Sequence, residues 1–582
     1  MSNERVIPSE QPKSVCTFSI LSEGETVPAT FHVLSIVVDK EVNRIPSATL
    51  IFLDGDAAAE TFELSNTPLF EPGKKIEIKA GWVSDEETIF KGVVIKQSIK
   101  IKNSTSVLLV ECRDEVYKMS LSPKSNYYKE VKDSDIFEEL LGQYAASHDV
   151  EATQVQHKEV VQYNSTDWDF MLCRADVNGK LVVTDDGNVS IKKPDVTASP
   201  ILTAQYGSTI LDLDAEIDAR LQVPGVKAVA WNFTDQELYT GIEAAEPPVP
   251  AAGNLSADQL KVAASKEPLL LVHSGKITEP ELQQWANARL QKNRLAKIRG
   301  RVRVEGFAQI RPGNMLQLNG VGERFEGAVF VTGIRHQIEQ GNWTTNIQFG
   351  TNPEWFTQSY QVQQPSAGAM LPAIQGLQIG VVTQLENDPD GEDRIMVRIP
   401  IIHASDEGIW CRVASLDAGN ERGFFFRPEL NDEVVVGFLN EDPRHAVVLG
   451  MLHSSKMPAP IQAKDTNHEK GYVSREKMKM LFDDEKLIIQ LETPAGNTIV
   501  ISEEDQGINI TDQNGNKIVM NTDGITIESI KDLTIKAASE LKVEGLNTNL
   551  KASAQLKAEG GAGAEYSSGG MTALKGSMVN IN

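Results

Sequence analysis

The sequence predicts a mainly β protein ending in a tapering stack of short strands. Three observations carry this expectation. From Lys486 onward the chain repeats an apolar–polar–apolar triplet. A Pro-Gly strand followed by a Phe-x-Gly strand occurs twice, about 240 residues apart. Between 373 and 460, short alternating strands suit a small closed barrel of the OB type.

Bulk properties narrow the function classes. A length of 582 residues allows about four domains. The net charge of -25 is spread along the chain and argues against nucleic acid or an anionic membrane as partner. Cys16, Cys112, Cys173 and Cys411 lie far apart without a Cys-x-x-Cys pair. Buried free thiols in a reducing cytosol are therefore expected, rather than disulfides or a zinc site. The N-terminus has no apolar leader, and no run reaches the ~18–20 apolar residues of a bilayer span. A cytoplasmic chain without a signal peptide is expected, exported only by a specialised route. No phosphate loop or His-Glu-x-x-His helix is present, the histidines are scattered, and no cofactor or metal is implied.

Residues 1–120 read as a first β-barrel, with strands at 31–38, 48–53, 75–79, 88–100 and 107–112. An α/β insert at 121–200 follows. Asp133-Ser134-Asp135 can cap a helix through Ile136, Leu140 and Leu141, and Ser165-Thr166 one through Trp168, Met171 and Leu172. Residues 201–360 form a second barrel with a helical insert starting near Thr278 and Pro280. Its Pro312-Gly313 and Phe325-Glu326-Gly327 match Pro72-Gly73 and Phe90-Lys91-Gly92 of the first barrel, and a hairpin-like stretch follows each. Low-complexity links occupy 243–253 and 361–372.

The OB-type barrel at 373–460 alternates through Ile395, Val397 and Ile399, then Val434, Val436 and Phe438, and closes with Val447 and Leu449. Nucleic-acid binding needs a basic groove, but residues 371–460 carry 7 Lys/Arg against 14 Asp/Glu. A connector is expected. A neck at 461–485 is too short for an enzyme domain.

The needle at 486–582 takes its core from Ile499, Ile501, Ile508, Ile510, Ile518, Ile525, Ile527, Leu533, Ile535, Leu541 and Val543. Gly496-Asn497, Asn514-Gly515 and Asp523-Gly524 punctuate it. Tyr566 is its only aromatic residue, and alanines replace the branched side chains after 551, so the core is narrow and thins toward the end. Roughly a dozen strands at ~4.8 Å spacing give about 60 Å of length.

This order of elements resembles the VgrG family, the spike proteins of type VI secretion and related contractile injection systems. The match rests on Arg324-Phe325-Glu326-Gly327 through His336 and on Gly341-Asn342-Trp343 in the hub. In the OB region it rests on Pro428, Glu429, Asp432, Glu433, Val436, Phe438, Asp442, Pro443 and Gly450. The Gly-Asn-x-Ile repeats and the Lys575-to-Asn582 ending complete it. The resemblance implies a non-enzymatic homotrimer with a β-helix needle and two tube-like barrels per chain. Six barrels would match a hexameric tail-tube ring beside baseplate proteins. A PAAR-type tip protein would meet Met578, Val579 and Ile581, effector cargo would be carried, and the target membrane would be met mechanically. Such a chain would be secreted or injected within the particle. The phage relatives' lysozyme insertion and the toxic extension of some members are not expected here. The alternative is a cell-wall or polysaccharide hydrolase on a β-solenoid, using pairs such as Asp483-Asp484 and Glu503-Glu504.

Overall fold

The computed structural model describes residues 15–103 and 105–581, so the N-terminal stretch before Val15, on which the expectation about a leader falls, and the terminal Asn582 lie outside the described residues. The chain divides into two compact units. One ends at Ile374 and includes Asn440–Asp442; the other comprises Gln375–Leu439 and the residues from Pro443 onward. Both are mainly β.

In the first unit a five-strand pattern occurs twice. The first copy is β1 (Val33–Glu41), β2 (Ser47–Leu53), β3 (Lys75–Trp82), β4 (Asp85–Lys102) and β5 (Thr105–Arg113). The second is β6 (Asp212–Ile217), β7 (Ile298–Glu305), β8 (Met315–Asn319), β9 (Gly327–Glu339) and β10 (Asn342–Phe349). Spatial order is β1-β2-β5-β4-β3 in one and β6-β7-β10-β9-β8 in the other. The Pro-Gly turns agree in detail. The Gly73 N–H donates to the Val94 carbonyl and the Gly313 N–H to that of Val331, both at 2.8 Å. Val94 and Val331 donate back to Lys74 and Asn314, both at 2.9 Å. Both glycines sit at positive φ, +102° and +94°, where a Cβ is strained. A bulge follows each valine, between Val94 and Lys96 and between Val331 and Gly333. The duplication is therefore structural.

The two copies are joined. β1 pairs antiparallel with β9 from Glu41↔Gly333 to Ser35↔Glu339, so both belong to one 13-stranded sheet. Arg335 bonds Asp39 at 2.7 and 3.1 Å across that seam. Trp82 stacks on Trp343 with ring centroids 5.6 Å apart, and Ala308, Ile338 and Trp343 are buried within the first copy's core. The expected two barrels thus share a sheet and part of a core. Periodicity in the sequence marks strands but not which edges meet.

In the insert, α1 (Asp133–Leu141) and α2 (Asp167–Val177) form where expected, and Thr166 caps α2 by accepting the Asp169 N–H at 3.0 Å. Asp133, however, is no cap. Its buried carboxylate is held by Arg174 at 2.7 and 2.9 Å, Asn178 at 2.8 Å and His157 at 3.1 Å. Burial alone would raise its pKa, but these partners outweigh burial and hold it well below the usual carboxylate range. The N-terminal carboxylate that does cap is Asp135, accepting from the Lys132 N–H at 2.9 Å. A turn at Asp185-Asp186-Gly187 ties this insert to both copies. Buried Lys40 binds both aspartates, Arg311 reaches Asp185 at 3.0 Å, and the Lys91 N–H donates to Asp186 at 2.8 Å. The later insert contributes α3 (Ala257–Ala264) and α4 (Glu279–Leu295), the latter packing Leu282, Ala286 and Leu290 on a small sheet.

The second unit opens with a closed barrel of β11 (Gln378–Gln384), β12 (Ile395–Arg398), β13 (Ile409–Val413), β14 (Glu433–Phe438) and β15 (Ala446–Met451). Ile395, Val397, Val434 and Val436 are buried as expected. In β15, Ala446 and Val448 face the core, while Leu449 is exposed and Val447 is not in the core cluster. The run Ala446-Val447-Val448-Leu449 is apolar at every position, so sequence does not specify its parity, and a bulge between Val435 and Val436 sets it. Burial pushes the Cys112 and Cys411 thiols up to about 12.

A seven-stranded antiparallel meander follows: β16 (Glu469–Val473), β17 (Lys479–Asp483), β18 (Ile488–Glu492), β19 (Thr498–Ser502), β20 (Gly507–Thr511), β21 (Lys517–Asn521) and β22 (Gly524–Glu528). Two differences from expectation stand out. The sheet begins at Glu469, inside the stretch read as a neck, because Lys479–Asp483 is apolar without a clear triplet. A single chain forms no β-helix, since turns this short return each strand antiparallel to the last. Leu533, Ile535, Leu541 and Val543 lie in no strand and are exposed. Among the described residues no helix is long and apolar enough to cross a membrane.

His336 supplies a test of the hub seam. Its ring is fully buried on β9, hydrogen-bonded to the Thr345 hydroxyl at 2.9 Å, and burial with the nearby Lys40 and Arg311 charges pushes it down to about 3. The folded form keeps it neutral, while the unfolded chain takes up a proton near pH 6.5. Its contribution is therefore present above about pH 6.5 and lost as pH falls, about 2 kcal/mol by pH 5. Thermal unfolding of wild type and His336→Gln at pH 7 and pH 5 checks this. The variant should lose less stability on acidification by about that amount.

Candidate functional site

The chemistry-bearing surface of this chain is an apolar sheet face. Strands alternate their side chains, so in β17 to β22 one face collects two residues per strand. Register aligns them into two files. One runs Met480, Leu491, Ile499, Ile510, Ile518 and Ile527; the other runs Phe482, Ile489, Ile501, Ile508, Met520 and Ile525. The predicted residues Ile499, Ile501, Ile508, Ile510, Ile518, Ile525 and Ile527 all share this face. They are not buried by their own chain: Ile499 is 40% exposed, Ile501 44% and Ile525 71%. An exposed apolar strip this long marks a contact surface. Sequence reading missed Met480 and Phe482, which widen the strip at its start. In sequence Met480-Leu481-Phe482 is apolar at every position, so no alternation marks which of them share the face.

The Gly-Asn turns stack. The Asn497 amide oxygen accepts the Gln513 N–H at 3.0 Å, and that of Asn516 accepts the Ile530 N–H at 3.0 Å. Each asparagine thus ties its turn to the next turn on that edge.

The OB motif residues hold the barrel and meet the sheet. Asp432 accepts the Glu429 N–H at 2.8 Å, closing a tight turn after Pro428. Asn431 sits at φ +71° and its N–H donates to Val382, while the Val382 N–H returns to Asp432. Glu433 opens β14, Val436 is buried, Phe438 packs on the core and Gly450 pairs with Val435. Glu429 also bonds Arg475 at 2.8 Å in the β16–β17 turn. Phe426 lies 4.8 Å from Tyr472 of β16, centroid to centroid. Asp442 is buried beside Pro443 in sequence. Phe424, Phe425 and Leu416 leave the barrel with exposed apolar surface of its own.

Carboxylate pairs proposed for hydrolysis serve turns. Asp483 accepts the Glu485 and Lys486 N–H groups at 3.0 and 3.1 Å. Asp484 pairs with Lys470, and Glu504 lies 3.8 Å from Lys486. Among the described residues no group of three His, Cys, Asp or Glu side chains could hold a metal ion. Met578, Val579 and Ile581 are exposed and lie outside any strand.

Residues 12–340, more than half of the chain, match the family described as the Alg8 N-terminal domain. Residues 378–453 match the type VI secretion system/phage-baseplate injector OB domain. The type VI secretion system spike protein VgrG1b of Pseudomonas aeruginosa is 23% identical over 228 residues, covering 37% of this chain and 30% of that protein's length. Among solved structures, a tail protein from Neisseria meningitidis MC58 aligns with a TM-score of 0.43 at 14% identity, over 60% of this chain and all of that one. The E. coli c3393 protein, a component of the type VI secretion system, aligns with a TM-score of 0.38 at 13% identity, over 74% of this chain and 99% of that one. The chain belongs to the family described as the Alg8 N-terminal domain, continues into a match to the injector OB domain, and is similar to a type VI secretion spike protein of the VgrG type.

Proposed function

We propose that three copies of this chain form the central spike and hub of a contractile injection machine, working by thrust and not by catalysis. The similarity to the injector OB domain and to the spike protein VgrG1b supports a spike or hub role; the trimer, the puncturing and the cargo go beyond it. The two-file apolar face of β17 to β22 carries it. No layer of the same sheet covers that face, and three copies facing one axis would bury it. Each fully buried Ile or Leu contributes about 1.5–3 kcal/mol, enough in sum to order three chains along a common rod.

The segment after Glu528 continues the pattern through Leu533, Ile535, Leu541 and Val543 without forming strands in one chain. Its backbone groups would find partners only when strands of different copies alternate along the rod, which would convert the meander into the β-helix needle. The core would taper from Phe482 and Met480 through isoleucines to alanines. At the thin end Met578, Val579 and Ile581 would seat a conical PAAR-type tip protein. At the other end the duplicated barrels, six per trimer, would meet a hexameric tail-tube ring and the baseplate. Effector cargo would travel with the tip or needle. Such a chain would leave the cell inside the particle it helps to build.

Two measurements test this reading. Ile510→Asp places three carboxylates near the axis without partners, a cost of several kcal/mol each. Native mass measurement should find the wild type as a trimer and this variant largely monomeric; a wild-type monomer near 63.8 kDa would defeat the proposal. Met578→Asp with Ile581→Asp should leave the trimer intact and weaken tip-protein binding about tenfold or more. Unchanged affinity would remove these residues from the tip contact.

A further inference from the structure

The buried carboxylate of Asp133 belongs to a larger group of charges where the two inserts meet, and a histidine lies at its centre. His157, only 7% exposed, sits between two carboxylates. Its Nε2 is 3.1 Å from Asp133 Oδ2 at the start of α1, and its Nδ1 is 3.9 Å from Glu281 Oε1 in the first turn of α4. Arg174 of α2 completes the group. It grips Asp133 through Nε and Nη2, and that Nη2 is also 3.1 Å from His157 Nε2 and 3.8 Å from Glu281 Oε1. On the strand paired with its own, the residue opposite His157 is apolar Val131. Among the described residues, the charged groups facing the ring are therefore two carboxylates and one guanidinium.

This set is one cation short. Asp133 is matched by Arg174 and accepts a further bond from Asn178 at 2.8 Å. Glu281, among the described residues, has no basic side chain nearer than 3.8 Å. A neutral imidazole carries one N–H and one lone pair, so whichever nitrogen holds the proton, the other turns a lone pair toward a carboxylate oxygen. The 3.9 Å gap on the Nδ1 side, too long for a hydrogen bond, fits a lone pair facing Glu281. An imidazolium has an N–H on both sides and offers each carboxylate a charge-assisted donor. Enclosure strengthens that gain, because little water screens the charges.

The location gives the ring its leverage. α4 rests on the earlier insert along one row of contacts. Gln284 donates to the Asn178 side chain, Gln291 Nε2 donates to the Gly179 carbonyl at 2.7 Å, and Lys292 pairs with Asp176 at 2.5 Å. Glu281 is the next position of that row, at the end where α4 begins. Of the side chains along it, a histidine is the one whose charge ordinarily changes between pH 5 and 8.

We infer that His157 is a proton-operated latch between the two inserts. Its protonated ring bridges Asp133 and Glu281 and ties the first turn of α4 to α1 and α2; loss of the proton releases that turn. The tie is present on the acid side of the histidine range and is lost as pH rises through it. His336 responds in the opposite sense, since burial there favours the neutral ring. The latch belongs to the single chain and does not depend on the assembly proposed above.

The test compares full-length wild type, His157→Gln, Glu281→Gln and the double variant by thermal unfolding at pH 5.5 and pH 8. Wild type should exceed His157→Gln by about 2 °C more at pH 5.5 than at pH 8. With Glu281→Gln already present, His157→Gln should cost the same at both pH values. The His336 contribution cancels, because each comparison is made at one pH. Amide exchange supplies a local readout: Leu282 to Ala286 should exchange about threefold faster in Glu281→Gln than in wild type at pH 5.5, and equally at pH 8. Glu281 is partly exposed, so this second comparison decides the matter even if His157→Gln does not fold. A His157→Gln loss that is independent of pH, or that keeps its pH dependence without Glu281, overturns the latch. So does exchange in Glu281→Gln that matches wild type at pH 5.5.

Discussion

A β-strand edge exposes backbone donors and acceptors that must be paired, and a sheet face of isoleucines must be covered. Both demands bear on this chain, and neither is met within it. The seven-strand meander from Glu469 to Glu528 satisfies its internal edges but exposes two files of Ile, Leu, Met and Phe. These unmet demands explain why the protein carries so much exposed apolar surface while remaining strongly acidic overall. Both demands would be met in the self-assembly proposed above.

The hub and the tail meet this constraint by different means. In the hub, buried charged groups fix how the parts are held: Lys40 on Asp185 and Asp186, Arg311 on Asp185, Arg174 on Asp133. Breaking such a pair leaves an uncompensated charge inside, so these contacts favour a single arrangement of barrels and insert. In the tail such clamps are few. Its order comes from short strands, stacked Gly-Asn turns and cross-strand pairs such as Lys479 with Glu492 and Lys517 with Glu528. A sheet built that way gains its order from lengthwise repetition.

Between these in sequence comes the OB barrel, whose motif residues are structural. The Pro428-to-Asp432 turn joins β14 to β11, and Glu429 extends it to Arg475 at the start of the sheet. A surface pair of that kind adds little energy. With Phe426 against Tyr472, however, it fixes how the sheet leaves the barrel.

The sequence by itself determined the strand periodicity, the Pro-Gly and Phe-x-Gly duplication, the α2 cap at Thr166, the closed barrel's inward Ile395, Val397, Val434 and Val436, and the shared face of the tail isoleucines. Each depends on neighbours a few residues away, through alternation, capping or turn chemistry. The tertiary structure alone decided which edges meet, the inward parity of Ala446 and Val448, the burial of Asp133 under Arg174, and the start of the sheet at Glu469. Those outcomes depend on residues tens to hundreds of positions apart, or on a bulge that shifts a strand by one residue. Local pattern contains no record of either.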